Sequence, residues 1–425
     1  MCIDKNTFKQ IFIDHWNEFI SVYPIFDSPT YSEPIQKMLD CGDPEKMGYV
    51  SYICTNCGER RRIAFTCKSC FCLSCSKVYT DKWADFIGRR LLPGITYRHI
   101  VLTVPDFLHT WLYRDSSLFT PFIHAGNAFV KDVFNTYTGL VLDIGTIIVL
   151  QTAGRSGEFN PHLHILVPAG GITPDGKWKP ISYIPYTLFH KKWQYHLLSM
   201  LREHVSVPAV EIDIDRAWRS YPKGFVAYFE KGKVPPGGKG LAKYLAKYVV
   251  SPPISLKRIE HYDGKTVRYW YRDHKTGKIL YETLPVLRFI GRMAQHILPK
   301  GFQRIRYFGL HSNPRYQRMR NYISEIITAD TPSDPRGYRV LPRTPFTQLF
   351  FKNFGSNPLI CSCGNLMELE LIYHPRYGII RDYWDTLCYE QPRAEQQAPR
   401  MATENATGDA LARPKRMVQL SLPFL

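Results

Sequence analysis

The sequence predicts an α+β chain in which hairpins and helices alternate, preceded by a helical and cysteine-rich module. Three observations lead there. Apolar residues recur at helical spacing over 107–136 and 186–204. Two hairpin signatures, at 141–170 and 267–284, each join two β-rich runs through Gly and polar residues. Seven cysteines, at 41, 54, 57, 67, 70, 72 and 75, crowd one short stretch.

Taken in order, residues 1–40 read as one or two amphipathic helices. The cysteine stretch follows, and TDKWADFIGRRLL suggests a helix after it. YRHIVLTV (97–104) reads as a buried strand that Pro105 stops. VLDIGTIIVLQT (141–152) and HLHILVPAG (162–170) flank GRSGEFNP as a hairpin. EIDIDRAW (211–218) reads as a strand, or a loop on account of its acids. VPPGGKG breaks the chain ahead of LAKYLAKYVV (241–250), a helix that Pro252 and Pro253 end. VRYWYRDHKTGKILYETL (267–284) is the second hairpin, turning at 275–277, and 285–310 look helical and then extended. The tail from about 391 is polar and reads as disordered.

The chain has 425 residues, enough for two or three domains, and 44% hydrophobic content, enough for a sizeable core. Lys and Arg exceed Asp and Glu by 55 to 37, a formal charge of +18, which favours a polyanionic partner. No basic amphipathic segment and no run of 18 apolar residues points to a membrane. The N-terminus lacks a signal peptide's apolar core, so a reducing, intracellular setting is expected and the cysteines call for metal rather than disulfides. Cys54-x2-Cys57 and Cys72-x2-Cys75 are two knuckles, and Zn²⁺ takes four tetrahedral ligands, two from each. Cys41, Cys67 and Cys70 remain for a second zinc, with His99 or another ligand. Arg60, Arg61, Arg62, Lys68 and Lys77 decorate the module as a DNA-contacting finger would. Near the C-terminus Cys361 and Cys363, with His374 and Cys388 nearby, suggest a small metal site or ordinary cysteines.

His162 and His164 stand two apart, so one strand face carries both imidazoles, and paired imidazoles can hold a divalent metal. Tyr244 and Tyr248 stand four apart, so one helix face carries both phenols, and a tyrosine hydroxyl can attack phosphorus. Alone, either pair reads as core residues; together in a basic, cysteine-rich chain they read as a phosphodiester-cleaving site. From 283 to 324 there are eight Lys or Arg and no acid. Arg288, Arg292, Lys300, Arg304 and Arg306 are candidate phosphate contacts there, as are Lys243 and Lys247 beside the tyrosines.

PHLH with YLAKYVVSPP resembles the HUH nucleases with two tyrosines. More closely, YICTNCG, FTCKSCFCLSC, HIVLTVP and HILPKGFQRIRYFG are similar in order to the rolling-circle transposases of the insertion-sequence-ninety-one family. The likeness runs to about residue 370. It departs at Cys70, where a basic residue is usual, and at CSCG, one residue shorter than the usual knuckle. The resemblance implies an HUH endonuclease-type antiparallel sheet flanked by helices, with His162 and His164 holding Mg²⁺ or Mn²⁺. Gln151 is the candidate third ligand because the hairpin sets it opposite the histidines, and Glu158 on the turn is the runner-up. It further implies 5′-phosphotyrosine chemistry at Tyr244 and Tyr248 on single-stranded and hairpin-ended DNA of a mobile element, and on target DNA. The domains expected are a helical zinc-binding recognition segment at 1–90, a catalytic segment at 91–310, a C-terminal region at 311–390 and the tail at 391–425. Gln419, Leu420, Leu422 and Phe424 in the tail resemble the short peptides that bind the bacterial sliding clamp, or a strand that packs back on the protein. A plasmid or phage replication initiator, and a zinc-dependent DNA-binding protein without catalysis, remain the alternatives.

Overall fold

The computed structural model describes residues 6–69, 71–92, 94–181, 185–229, 252–273, 276–330 and 357–383, with 345, 347, 348, 350, 351 and 355. Among them the strands in chain order are β1 (Tyr49–Ile53), β2 (Arg60–Ala64), β3 (Tyr97–Thr103), β4 (Thr146–Ala153), β5 (Phe159–Pro168), β6 (Gly170–Ile172) and β7 (Trp178–Pro180). They continue as β8 (Ala227–Phe229), β9 (Ile259–Tyr262), β10 (Thr266–Arg272), β11 (Ile279–Pro285), β12 (Ile305–Phe308), β13 (Glu368–His374) and β14 (Gly378–Asp382). The chain divides into two units, one of residues 1–39 and 68–343, the other of 40–67 and 344–425.

The larger unit is built on a five-stranded sheet of order β12-β4-β5-β3-β8. All its described neighbours pair antiparallel. β5 is therefore the central strand. Successive side chains of a strand alternate between faces. Leu163, Ile165 and Val167 of β5 join Ile100, Leu102, Ile148 and Leu150 in one core cluster, under helices Phe119–Thr138 and Tyr186–His204. Leu166 of β5 joins Tyr97, Ile147 and Val149 in another, under helix Leu73–Arg90. Burying each aliphatic side chain stabilises the sheet by roughly 1.5–3 kcal/mol. A one-residue slip of β5 would exchange the two sets, so both cores hold the register.

Helix Phe119–Thr138 buries Phe122, Ile123, Phe129, Val130, Val133 and Phe134, the helical spacing seen in the sequence. It stops at Gly139, whose φ of 68° is the left-handed conformation common after helices, with its N–H on the Asn135 carbonyl. Gly126 lets this helix approach β5, since a Cβ there would stand 2.6 Å from Leu163 Cδ1.

A second, three-stranded sheet of order β11-β10-β9 is the predicted 267–284 hairpin plus one strand. Val267, Tyr269 and Leu284 are buried on one of its faces. The Tyr269 ring lies 5.8 Å from that of Phe289 on helix Val286–Ala294, which packs in turn against helix Thr7–Val22.

One sequence expectation is corrected. Residues 211–218 belong to helix Ala209–Ser220, neither strand nor loop. Val210, Ile214 and Ala217 are buried at helical spacing, whereas Ile212 is 68% exposed. A strand would have buried Ile212 with Ile214. The acids serve the helix surface: Asp213 accepts from Trp111 Nε1 at 2.9 Å and Glu211 pairs with Arg202.

The smaller unit holds the sheet β14-β13-β1-β2, antiparallel throughout. No helix among the described residues is long and apolar enough to cross a membrane.

Candidate functional site

His162 and His164 share one face of β5, their ring centroids 4.9 Å apart. The register sets Gln151 of β4 directly opposite His162 and Val149 opposite His164. A tight turn makes this possible. Gly157, at φ 84°, closes residues 154–158 with its N–H on the Gly154 carbonyl at 3.1 Å. Glu158, the other candidate ligand, sits on that turn, 66% exposed and 3.4 Å from the Arg292 guanidinium.

His162 Nδ1 lies 2.7 Å from the Asn160 carbonyl oxygen. A carbonyl only accepts, so Nδ1 carries the proton and Nε2 keeps its lone pair. His164 Nδ1 lies 2.9 Å from Nε2 of His99, and the two rings stack within 10° of parallel. Burial lowers the pKa of both His162 and His164, and for His164 the neighbouring His162, His99 and Arg304 lower it well below the ordinary value. Both are therefore neutral at pH 7, the form that binds metals. Two neutral imidazoles with a glutamine at the opposite register position make a donor set that fits a divalent ion with open positions.

His99 was expected, if anything, beside zinc. It lies instead on β3, on the face that carries His164, because β3 and β5 pair with Val101 opposite His164. The alternation of YRHIVLTV shows which of its residues share a face, but the partner strand's register is needed to see what His99 meets. Gln151 also lines a cavity with Thr152, His296, Arg304 and Pro253. His296 is held there by Thr152 Oγ1 at 3.0 Å and the Gly157 carbonyl at 2.8 Å.

Tyr244, Tyr248, Lys243 and Lys247 lie outside the described residues, as do Cys70, Cys388 and the tail residues Gln419, Leu420, Leu422 and Phe424. Among the other basic candidates, Arg288 is exposed. Lys300 is 80% exposed and pairs with Glu33 at 3.0 Å. Arg306 donates to Thr120 Oγ1 at 3.1 Å. Arg292 differs from expectation. Its guanidinium is 11% exposed, 2.7 Å from Glu282 and hydrogen-bonded to the Tyr269 hydroxyl, so it holds the second sheet together rather than facing a phosphate.

The cysteine partners also differ from the sequence reading. Within the smaller unit Cys54 and Cys57 meet Cys361 and Cys363, not the second N-terminal knuckle. The sulfur of Cys54 is 3.6 Å from that of Cys363, and that of Cys57 is 3.3 Å from that of Cys361. Four thiolates at about 2.3 Å from one tetrahedral Zn²⁺ stand about 3.8 Å apart, so the group fits zinc. Local hydrogen bonds already favour a thiolate at Cys363: the Asn365 backbone N–H first, then Cys361, hold its pKa down to about 6. The Cys361 thiol donates to Glu59, 3.0 Å away. His374 is not part of this group; its Nδ1 accepts from the Arg376 N–H at 3.2 Å. Arg60, Arg61 and Arg62 on β2 engage Glu370, the Pro358 and Ile360 carbonyls, and the Tyr49 ring. Elsewhere, Cys67 N–H donates to Cys41 Sγ at 3.3 Å. In the larger unit Cys72 and Cys75 are buried at the start of helix Leu73–Arg90.

Two family descriptions match this chain: a putative transposase family (Y2_Tnp) over residues 145–319, and a transposase zinc-binding domain (Zn_Tnp_IS91) over residues 11–104. The transposase of insertion sequence element IS801 from Pseudomonas savastanoi pv. phaseolicola is 31% identical over 312 residues, 71% of this chain and 75% of that protein. The chain belongs to the IS91 family of insertion-sequence transposases. A second relative, the putative transposase y4qJ of Sinorhizobium fredii, is 27% identical across 75% of this chain and 84% of its own length. No solved structure matches. The putative-transposase match spans both β4 and β5, hence Gln151, His162 and His164 of the transposase. The zinc-binding match spans six cysteines that the structure describes: Cys41, Cys54, Cys57, Cys67, Cys72 and Cys75.

Proposed function

We propose that this transposase cleaves and rejoins single-stranded DNA at its element's ends through 5′-phosphotyrosine intermediates, in rolling-circle transposition. One observation carries the reading most: two neutral imidazoles, His162 and His164, lie side by side on the central strand with Gln151 opposite. His162, His164 and Gln151 are the ligands of a catalytic Mg²⁺ or Mn²⁺, which when bound supplies positive charge to the scissile phosphate. Tyr244 and Tyr248 are the nucleophiles. A tyrosine oxygen bonds to phosphorus as its hydroxyl gives up a proton, the bond from phosphorus to the 3′-oxygen breaks, and that oxygen takes up a proton and leaves as a hydroxyl. The ester keeps the energy of the broken bond, so a 3′-hydroxyl attacking the same phosphorus rejoins DNA without ATP. The second tyrosine permits a second cleavage while the first is still attached.

Chain connectivity supports a shared cavity. Pro253 follows Tyr248 by five residues and lines the same cavity as Gln151. Five residues span at most about 18 Å. Structural zinc is held by Cys54, Cys57, Cys361 and Cys363. In function the chain divides into recognition (1–90), catalysis (91–310), a C-terminal region (311–390) and a tail (391–425) whose QLSLPF engages a sliding clamp. Clamp capture by a synthetic tail peptide tests that last element, and a peptide that does not bind removes it.

The decisive experiment incubates the protein with a single-stranded element end and Mn²⁺, then runs a denaturing gel. Wild type gives a covalent species; Tyr244→Phe with Tyr248→Phe gives none while binding the oligonucleotide as before. His162→Ala abolishes the metal-dependent adduct. An adduct surviving in the double variant sinks the nucleophile assignment.

A further inference from the structure

The second sheet has a face that its core does not use. Opposite the buried Val267 and Tyr269, β10 presents Arg268, Trp270 and Arg272. The register of β11 sets Thr283, Tyr281 and Ile279 directly beside them, so Trp270 and Tyr281 form a cross-strand aromatic pair. Tyr281 is 53% exposed and Ile279 45%. An exposed ring set between arginines offers both an apolar face and positive charge.

We propose that this face is a stacking platform for single-stranded DNA, on which unpaired bases lie against Trp270 and Tyr281 and the flanking phosphates meet Arg268 and Arg272. The inference rests on the reading that the transposase acts on single strands. Three features choose this occupant. Both aromatic rings are fixed in place: Trp270 Nε1 donates to the Lys257 carbonyl at 3.2 Å, and the Arg268 guanidinium lies 5.0 Å from the Tyr281 ring centre. A held ring loses little entropy when a base stacks on it, and every base has a face to offer. The charge is complementary to a phosphate backbone. Glu260 pairs with Arg268 at 3.4 Å, and the exposure of both side chains leaves the pair labile. The sheet also adjoins the hairpin that carries the two histidines. Arg155, on the turn that leads into the histidine strand, donates to the Arg272 carbonyl at 3.5 Å and accepts from Arg258. Arg258 in turn donates from Nε to the Trp270 carbonyl at 2.9 Å. The Tyr269 side of the same sheet meets that turn too, through the Tyr269 hydroxyl on the Ser156 carbonyl at 2.8 Å. Duplex DNA keeps its bases stacked inside and cannot use the rings.

The test uses the full chain in buffer without Mg²⁺ or Mn²⁺, so that no covalent product forms whichever residue is the nucleophile and failure of the nucleophile assignment cannot affect the outcome. Fluorescence anisotropy measures affinity for a labelled oligothymidylate of ~20 nucleotides and for a duplex of equal length. Tyr281→Ala is expected to weaken single-strand binding about tenfold, Tyr281→Phe less than about twofold, and neither to change duplex binding by more than about twofold. Trp270→Ala should act like Tyr281→Ala. Where its melting temperature falls, Tyr281→Ala, altered at the more open ring, carries the result. Unchanged single-strand affinity in Tyr281→Ala overturns the proposal. Equal weakening on single strand and duplex does so too, since it would mark a merely basic surface.

Discussion

His164 Nδ1 and His99 Nε2 stand 2.9 Å apart, and one proton must lie between them. Metal binding at His164 Nε2 needs that proton on Nδ1 of His164, donated to His99. His99 then acts through His164 and is a positioning residue. His99→Ala is expected to lower Mn²⁺ affinity about 10- to 100-fold, the range such outer partners show. Electron paramagnetic resonance of free Mn²⁺ during titration reads this without turnover, and affinity equal to wild type would dismiss the role. His296 carries a different prediction. Burial lowers its pKa to about 4, against about 6.5 when unfolded. The unfolded chain therefore takes up this proton first as pH falls. The stability that neutral His296 contributes is intact above about pH 6.5 and is lost progressively down to about pH 4, roughly 3 kcal/mol in all. His311, buried and held near about 3, adds in the same direction. Melting curves from pH 7.5 to 4.5 should show this fall, and a flat profile would contradict it.

At the scale of the element, the smaller unit's sheet buries Ile53 and Ile372 among its described residues. Its buried cluster is Cys54, Cys361 and Met367, with Tyr52 against it. Cys54 and Cys361 of the four-thiol group lie within that cluster, so a metal there would staple the sheet from inside. Zinc removal, or Cys361→Ser, is expected to open residues 49–64 and 357–383 to protease while the five-stranded sheet stays protected. Mass spectrometry of the limited digest reads the cleavage sites; an equally resistant zinc-free sheet would show the metal to be dispensable there. The sequence revealed the knuckle at Cys54 and Cys57 but not its partners. Cys57 and Cys361 are 304 residues apart, and Cys-x-Cys lacks the usual spacing, so local pattern offered nothing to join them. Elements whose signal is local were legible: the strand at Tyr97–Thr103, the hairpin that carries His162 and His164, and helix Tyr186–His204. Helix Ala209–Ser220 was not, because EIDIDRAW alternates apolar and acidic residues over its first half and only tertiary burial of Val210 with Ile214 chooses the helix. Arg292 shows a related point: its charge is visible in the sequence, whereas its pairing with Glu282 is visible only in the fold.

For the whole molecule, a formal charge of +18 makes attraction to any polyanion strong, so affinity alone says little about how DNA is held. Salt dependence separates the contributions. Each phosphate neutralised on a single strand adds about −0.7 to the slope of log affinity against log salt. If about five arginines and lysines contact phosphates, the slope is about −3.5. Arg272→Gln removes one such contact and should flatten the slope by about 0.7. Tyr281→Ala removes stacking, which displaces no counterion, and should lower affinity by the same factor at every salt concentration. The two variants thus give lines that differ in kind, one tilted and one shifted. Anisotropy titrations between about 50 and 200 mM salt resolve them. A slope altered in Tyr281→Ala would mean that the ring acts by orienting Arg268, whose guanidinium lies over it, and not by receiving a base.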